Sequence, residues 1–174
     1  MYKGIQLELV KAKTFVAHEG MEGLSCELKY KGKKIATYFD PCLGGEPEVN
    51  PIYENLQENR QLLHELEKEV SKLMFKSSNG MEFNYSLGMF VDEIYAEKQL
   101  TKEAKKGILY QKKGGETIMI SKFSKSIPAL FKQFHKDAAV GFLEKTINEL
   151  QDKGNEILQQ EYYVSLGVNP DIFE

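Results

Sequence analysis

The most unusual segment of the chain is Asp40-Pro41-Cys42-Leu43-Gly44-Gly45-Glu46. Asp40 and Glu46 place carboxylates on either side of a thiol, and Cys42 could act as a nucleophile beside a suitable base. Gly44 and Gly45 permit positive φ, so backbone N–H groups there could form an anion-binding concavity next to Asp40. Two functional readings stand: an anion or partner contact built on Asp40, Gly44 and Gly45, and a small hydrolase centred on Asp40, Cys42 and Glu46. A third is structural. A strand-to-helix connection needs breakers, and Asp-Pro and Gly-Gly are ordinary ones. The segment lacks the Gly-Lys-Ser/Thr ending of a phosphate loop and does not have the spacing of a dinucleotide fingerprint.

The second candidate is electrostatic. Residues 101–136 hold nine lysines against Glu103 and Glu116, whereas residues 46–97 and 137–174 are strongly acidic. Lys105, Lys106, Lys112 and Lys113 bracket one predicted strand, so their ammonium groups could line one rim and hold an anion. The block could instead neutralise the acidic helix predicted after residue 50, the commoner use of such asymmetry. Arg60 is the single arginine, which argues against guanine readout. Lysine holds phosphate as a point charge without bidentate geometry. His18, His64 and His135 lie in no ligand spacing, and neither a Gly-x-Ser-x-Gly elbow nor a His-Glu-x-x-His helix occurs. Catalysis is therefore the minority reading, and neither a cofactor nor a metal is expected.

These residues must be positioned by an α+β fold. Ile5, Leu7 and Leu9, then Leu24, Cys26, Leu28 and Tyr30, alternate with polar residues at strand period. With a returning strand over 34–39 they predict an antiparallel meander of at least three strands. Tyr30, Tyr38 and Phe39, interleaved with lysines, could stack bases or pack as the sheet's apolar face. Asn50-Pro51 reads as a helix start, and the helix runs to about Lys76. Ile52, Leu56, Asn59, Leu63, Leu66, Val70 and Leu73 form a heptad seam with one polar member. That seam could join two copies, Asn59 fixing the register, or pack within the chain on the 128–153 helix. Ser86 caps a second helix, with Leu87, Phe90, Val91 and Ile94 on one face. Thr101 opens a short helical turn stopped by Gly107. Residues 108–122 read as a hairpin with a primed turn at Gly114-Gly115. Pro128 opens a helix to Lys153, with Phe131, Phe134, Ala138, Phe142 and Leu150 near one stripe, and residues 155–164 form a last short helix. The expectation is one domain over 1–174, β-rich to residue 48 and helical beyond, with one further hairpin.

Length, 174 residues, and 41% hydrophobic content suit a globular chain, and net charge −3 disfavours a generally basic nucleic-acid binder. No run is long and apolar enough to span a membrane, and the N-terminal residues carry no secretory pattern. Cys26 and Cys42 form neither a metal motif nor a redox pair, so reduced thiols in the cytoplasm are expected.

The run Leu24 to Asp40, with Gly32-Lys33-Lys34-Ile35 inside it and Gly44-Gly45 after it, resembles small phage and prophage accessory proteins. Those open with a short sheet ending in Gly-Lys-x-Ile, a strand and an Asp-x-Gly-x-Gly-Gly loop. Here Cys42 replaces the first loop glycine. The resemblance implies a mobile-element origin and an inhibitor of host defence, acting in the host cytoplasm by binding a host protein. Sequestering a small anionic nucleotide is the alternative that it implies.

Overall fold

The computed structural model describes residues 2–17, 20–42, 45–77 and 80–173. The fold is α+β, and the chain divides into two compact units, Met1–Ala96 and Glu97–Glu174. The strand-rich to helix-rich change near residue 48 is not where the units divide, because each unit combines a sheet with helices.

In the first unit β1 (Leu7–Val16), β2 (Glu22–Tyr30), β3 (Lys33–Asp40) and β4 (Glu48–Pro51) form an antiparallel sheet in that order. The alternation in β2 does what its period requires. Leu24, Cys26, Leu28 and Tyr30 all point into the core. Lys31 and Gly32 both adopt positive φ, the two-residue primed turn that matches strand twist. A bulge between Val10 and Lys13 shifts the register so that Phe15 pairs with Gly23 and stacks on Phe39 on the outer face, and a second, opposite Leu28 and Lys29, turns Ile35 and Ala36 both inward. Gly23 lies under a close approach: a Cβ there would sit 2.5 Å from the Phe15 ring and 2.8 Å from the Asp40 carbonyl oxygen.

Three expectations for this unit are corrected. Asn50-Pro51 ends β4 rather than starting a helix. As the edge strand, β4 tolerates a proline that donates no hydrogen bond. Helix α1 (Leu56–Val70) begins after Asn55, itself in the left-handed region at φ 59°. It also stops short of Lys76, because Met74–Lys76 (β5) and Glu82–Asn84 (β6) pair as a small hairpin. The seam is used within the chain. Asn59, Leu63, Leu66 and Val70 are buried, the three apolar ones in a core with Leu28, Tyr30 and Ile35 of the sheet. Asn59 Nδ2 donates to the carbonyls of Ile52 (3.0 Å) and Glu54 (2.7 Å), so its amide holds the entry loop of its own helix. The side chains that would join two copies, or pack on the 128–153 helix, are thus already covered by the N-terminal sheet.

Helix α2 (Leu87–Ala104) runs across the division between the units. Ser86 caps it as expected, its hydroxyl accepting the Met89 N–H at 3.2 Å. Phe90, Val91 and Ile94 are buried. Thr101 does not restart a helix. It lies inside α2 and bonds back to the Glu97 carbonyl.

In the second unit β7 (Gly107–Lys112) is the central strand, between β8 (Met119–Lys122) and β9 (Asn155–Ile157). β9 occupies the start of the expected last helix, leaving α5 as Gln160–Ser165. The 128–153 helix is two helices, α3 (Ile127–Gln133) and α4 (Lys136–Gln151), parted by extended backbone at Phe134 with no glycine or proline to mark the break. The turn after β7 has Lys113 and Gly114 at its centre, closed by Gly115 N–H to the Lys112 carbonyl at 2.7 Å. Gly114 alone of that pair has positive φ, so the turn is not of the primed type. β9 covers β7 opposite residues 110–112 but not opposite 107–109. There the buried hydroxyl of Tyr163 takes the place of a strand, accepting the Leu109 N–H at 2.9 Å and donating to the Gly107 carbonyl at 3.1 Å. Gly107 is required sterically, since a Cβ would lie 2.1 Å from the Ser121 carbonyl oxygen.

Candidate functional site

The Asp40–Glu46 loop is closed upon itself. Asp40 ends β3, and its Oδ1 accepts the Cys42 N–H at 2.7 Å, so the donor best placed for an anion is already occupied by a carboxylate. The left-handed residue of the described loop is Cys42, at φ 54°, whereas Gly45 has ordinary φ and open space where a Cβ would be. Leu43 and Gly44 lie outside the described residues. The Cys42 thiol donates to the Glu22 carbonyl at 3.0 Å. Desolvation and the charges of Asp40 and Asp92 push that thiol up, away from the reactive thiolate. Asp92 on α2 is itself raised by desolvation and by Asp40, and it accepts a long hydrogen bond, 3.5 Å, from the buried Tyr38 hydroxyl. Desolvation also raises the Tyr38 phenol. A negative, thiol-suppressing cluster suits neither an anion site nor a cysteine nucleophile. Glu46 is exposed and His18 lies outside the described residues. His64 and His135 are exposed, and no metal-ligating cluster occurs among the described residues.

The aromatic–lysine interleaving of the first sheet is structural. Tyr30 and Tyr38 are buried, and Phe39 stacks on Phe15 at a centroid distance of 5.1 Å. The lysines around them are paired. Glu27 accepts from both Lys11 and Lys34 at 2.6 Å, which holds its carboxyl below the usual range. Lys29 meets Glu8, Lys33 meets Glu58, and Lys31 meets Glu65 and Glu69 of α1. The acidic helix therefore obtains its countercharges from the N-terminal sheet.

The 101–136 lysines are arranged differently. Lys105 and Lys106 precede β7, while Lys112 ends it and Lys113 enters the turn beyond. At a rise of about 3.3 Å per residue the two pairs stand roughly 20 Å apart, at opposite ends of one strand. Gly107 pairs with Lys122, so Lys122 joins Lys105 and Lys106 at the near end, where Glu103 feels Lys106, Lys102 and Lys122 together. In this unit the ion pairs among the described residues are Lys106–Glu103 and Lys145–Glu149, both one helical turn apart or less. Lys105, Lys112, Lys113, Lys122, Lys125, Lys132 and Lys136 are exposed with no carboxylate partner among them.

Beside the near end, the stripe expected over Phe131, Phe134, Ala138, Phe142 and Leu150 does not form one face. Phe134 and Phe142 are 50% and 48% exposed and, with Phe123, wall a cleft of about 550 Å³ floored by Ala138, Ala139 and Leu130. The buried face of α4 is instead Ala139, Leu143, Ile147 and Leu150. The signal was present: α4 carries a second apolar pair, Ala138 and Phe142, one residue out of phase with the core stripe. A helix with more apolar residues than its core face needs presents the surplus elsewhere. No protein-family model, curated protein or solved structure matches this chain.

Proposed function

We propose that the chain is a non-enzymatic binding protein that inhibits a factor of the host cell by direct contact, through the lysine-lined surface of its second unit. The observation that carries this reading is the set of exposed lysines without countercharges, spread over both ends of β7. Cations roughly 20 Å apart suit an extended acidic protein surface better than a single phosphate group, which one cluster would satisfy. The suppressed thiol of Cys42 and the self-satisfied Asp40 loop favour binding over hydrolysis. A host-defence target follows from the likeness of residues 24–45 to phage accessory proteins.

The test is capture from host lysate on the immobilised full chain. One protein should be retained at low salt and released near 0.5 M salt, because the Debye length shrinks from about 10 Å at 0.1 M to a few ångströms. Lys112→Glu with Lys113→Glu should abolish retention with the melting temperature unchanged. A nucleotide released from the purified chain on heating, with no protein captured, overturns the reading in favour of ligand sequestration.

A further inference from the structure

Resting on that reading, we infer that the cleft between Phe123, Phe134 and Phe142 is the anchor site for an acidic, amphipathic segment of the partner protein. Phe123 and Phe142 pack tilted, with centroids 5.0 Å apart, and Phe134 stands at the break between α3 and α4. Walls of three aromatic rings over a floor of Leu130 and two alanines make a receptor for bulky side chains. Its volume of about 550 Å³ has room for more than one. Half-exposed phenylalanines grouped around one concavity differ from the scattered apolar residues normal on a surface.

The charge at the mouth decides what fits. Lys122 lines the cleft. Lys125 is held at its edge by Gln133, whose Oε1 accepts from Nζ at 2.6 Å beside Phe134. Gln133 is neutral, so it orients that ammonium without cancelling it. In α4 Asp137 lies between Ala138 and Lys136, and Glu103, which senses Lys122, is bound to Lys106. The mouth is therefore net positive around an apolar floor. A segment with leucine or phenylalanine flanked by glutamates matches both features. A basic segment meets repulsion at Lys122 and Lys125, and a neutral one leaves them unanswered.

The probe is a labelled helical peptide of glutamate and alanine carrying leucine and phenylalanine four residues apart. One control has lysine for glutamate and a second has alanine for the two apolar residues. Titrated against the full chain by fluorescence anisotropy, the acidic apolar peptide should bind at least about tenfold tighter than either control. Ala138→Glu, on the exposed floor, and Lys122→Glu with Lys125→Glu should each weaken it by about tenfold or more with circular dichroism unchanged. Should Ala138→Glu fail to fold, Phe134→Ala at the exposed wall gives the same reading. Lys112→Glu with Lys113→Glu, at the other end of β7, should leave peptide affinity within about twofold. Equal binding of the basic peptide, equal loss in the Lys112/Lys113 variant, or preference for anionic phosphatidylglycerol vesicles over the peptide overturns the inference. So does a chain that self-associates by light scattering and dissociates with Ala138→Glu. A chain that captures its lysate partner undiminished by Ala138→Glu removes the cleft but keeps the binding reading. Peptide binding without any lysate partner does the reverse.

Discussion

The two units use the same residue type in opposite ways. In the first, five lysines of the sheet and its β2–β3 turn are matched across strands and onto α1: Lys11 and Lys34 to Glu27, Lys29 to Glu8, Lys31 to Glu65 and Glu69, Lys33 to Glu58. In the second, the ion pairs of the described residues join neighbours on the chain, and seven lysines between 105 and 136 meet no carboxylate. Exposed aromatic rings occur in both units, but Phe39 and Phe83 of the first stack on Phe15 and Phe75, whereas Phe134 and Phe142 of the second wall an open cleft. Charge matched within the chain stabilises it modestly, whereas unmatched charge beside exposed aromatic surface is available to another molecule. The comparison teaches that charge counted along a sequence does not assign a function until its partners are known.

The comparison can be broken most severely through the glycines. Gly107→Ala should destabilise the chain by about 3 kcal/mol, because the new Cβ meets backbone that cannot move without parting β7 from β8. Gly45→Ala, in open space at ordinary φ, should change urea stability by less than about 0.5 kcal/mol. Equal effects at the two sites would mean that the loop carries a backbone demand after all.

A smaller loss is expected from Tyr163→Phe. Removing the hydroxyl leaves the Leu109 N–H and Gly107 carbonyl buried without that partner, at about 2 kcal/mol by urea unfolding. A variant as stable as the parent would show that β7 does not depend on this phenol.

Charge reversal should have the least effect and sharpens the contrast most. Lys31→Glu puts a third carboxylate beside Glu65 and Glu69 and should lower the melting temperature by a few degrees. Lys122→Glu should leave the melting temperature within about 1 °C, since Lys122 makes no ion pair and Glu103, which senses its charge, is bound to Lys106. If Lys122→Glu proved the more damaging, the basic block would serve the fold rather than a partner.

The meander and the Ser86 cap were legible because each depends on residues close together in sequence. Gly114-Gly115 was misread because the turn is centred one residue earlier, on Lys113-Gly114, where only the second central residue takes positive φ. The loop at Asp40 looked chemically rich because the sequence does not reveal that Asp40 would cap the Cys42 N–H. The aromatic cleft was missed because a 3.6-residue period cannot say which of two adjacent apolar stripes faces the core.

By itself, then, the sequence determined the α+β class, the faces of β2 and α2, and the uneven distribution of charge, all consequences of local period, turn chemistry and composition. The tertiary structure decided the rest. It made Asn50-Pro51 an edge strand because β3 offered it a partner. It made Asn155–Ile157 a strand because β7 had an open edge there. It buried the Asn59 to Val70 seam because a sheet covered it, and left Lys122 and Lys125 without carboxylates because the acidic residues of α1 were paired elsewhere. Each of those outcomes depends on residues far apart in the chain, whose meeting is set by the packing of whole elements rather than by any local signal.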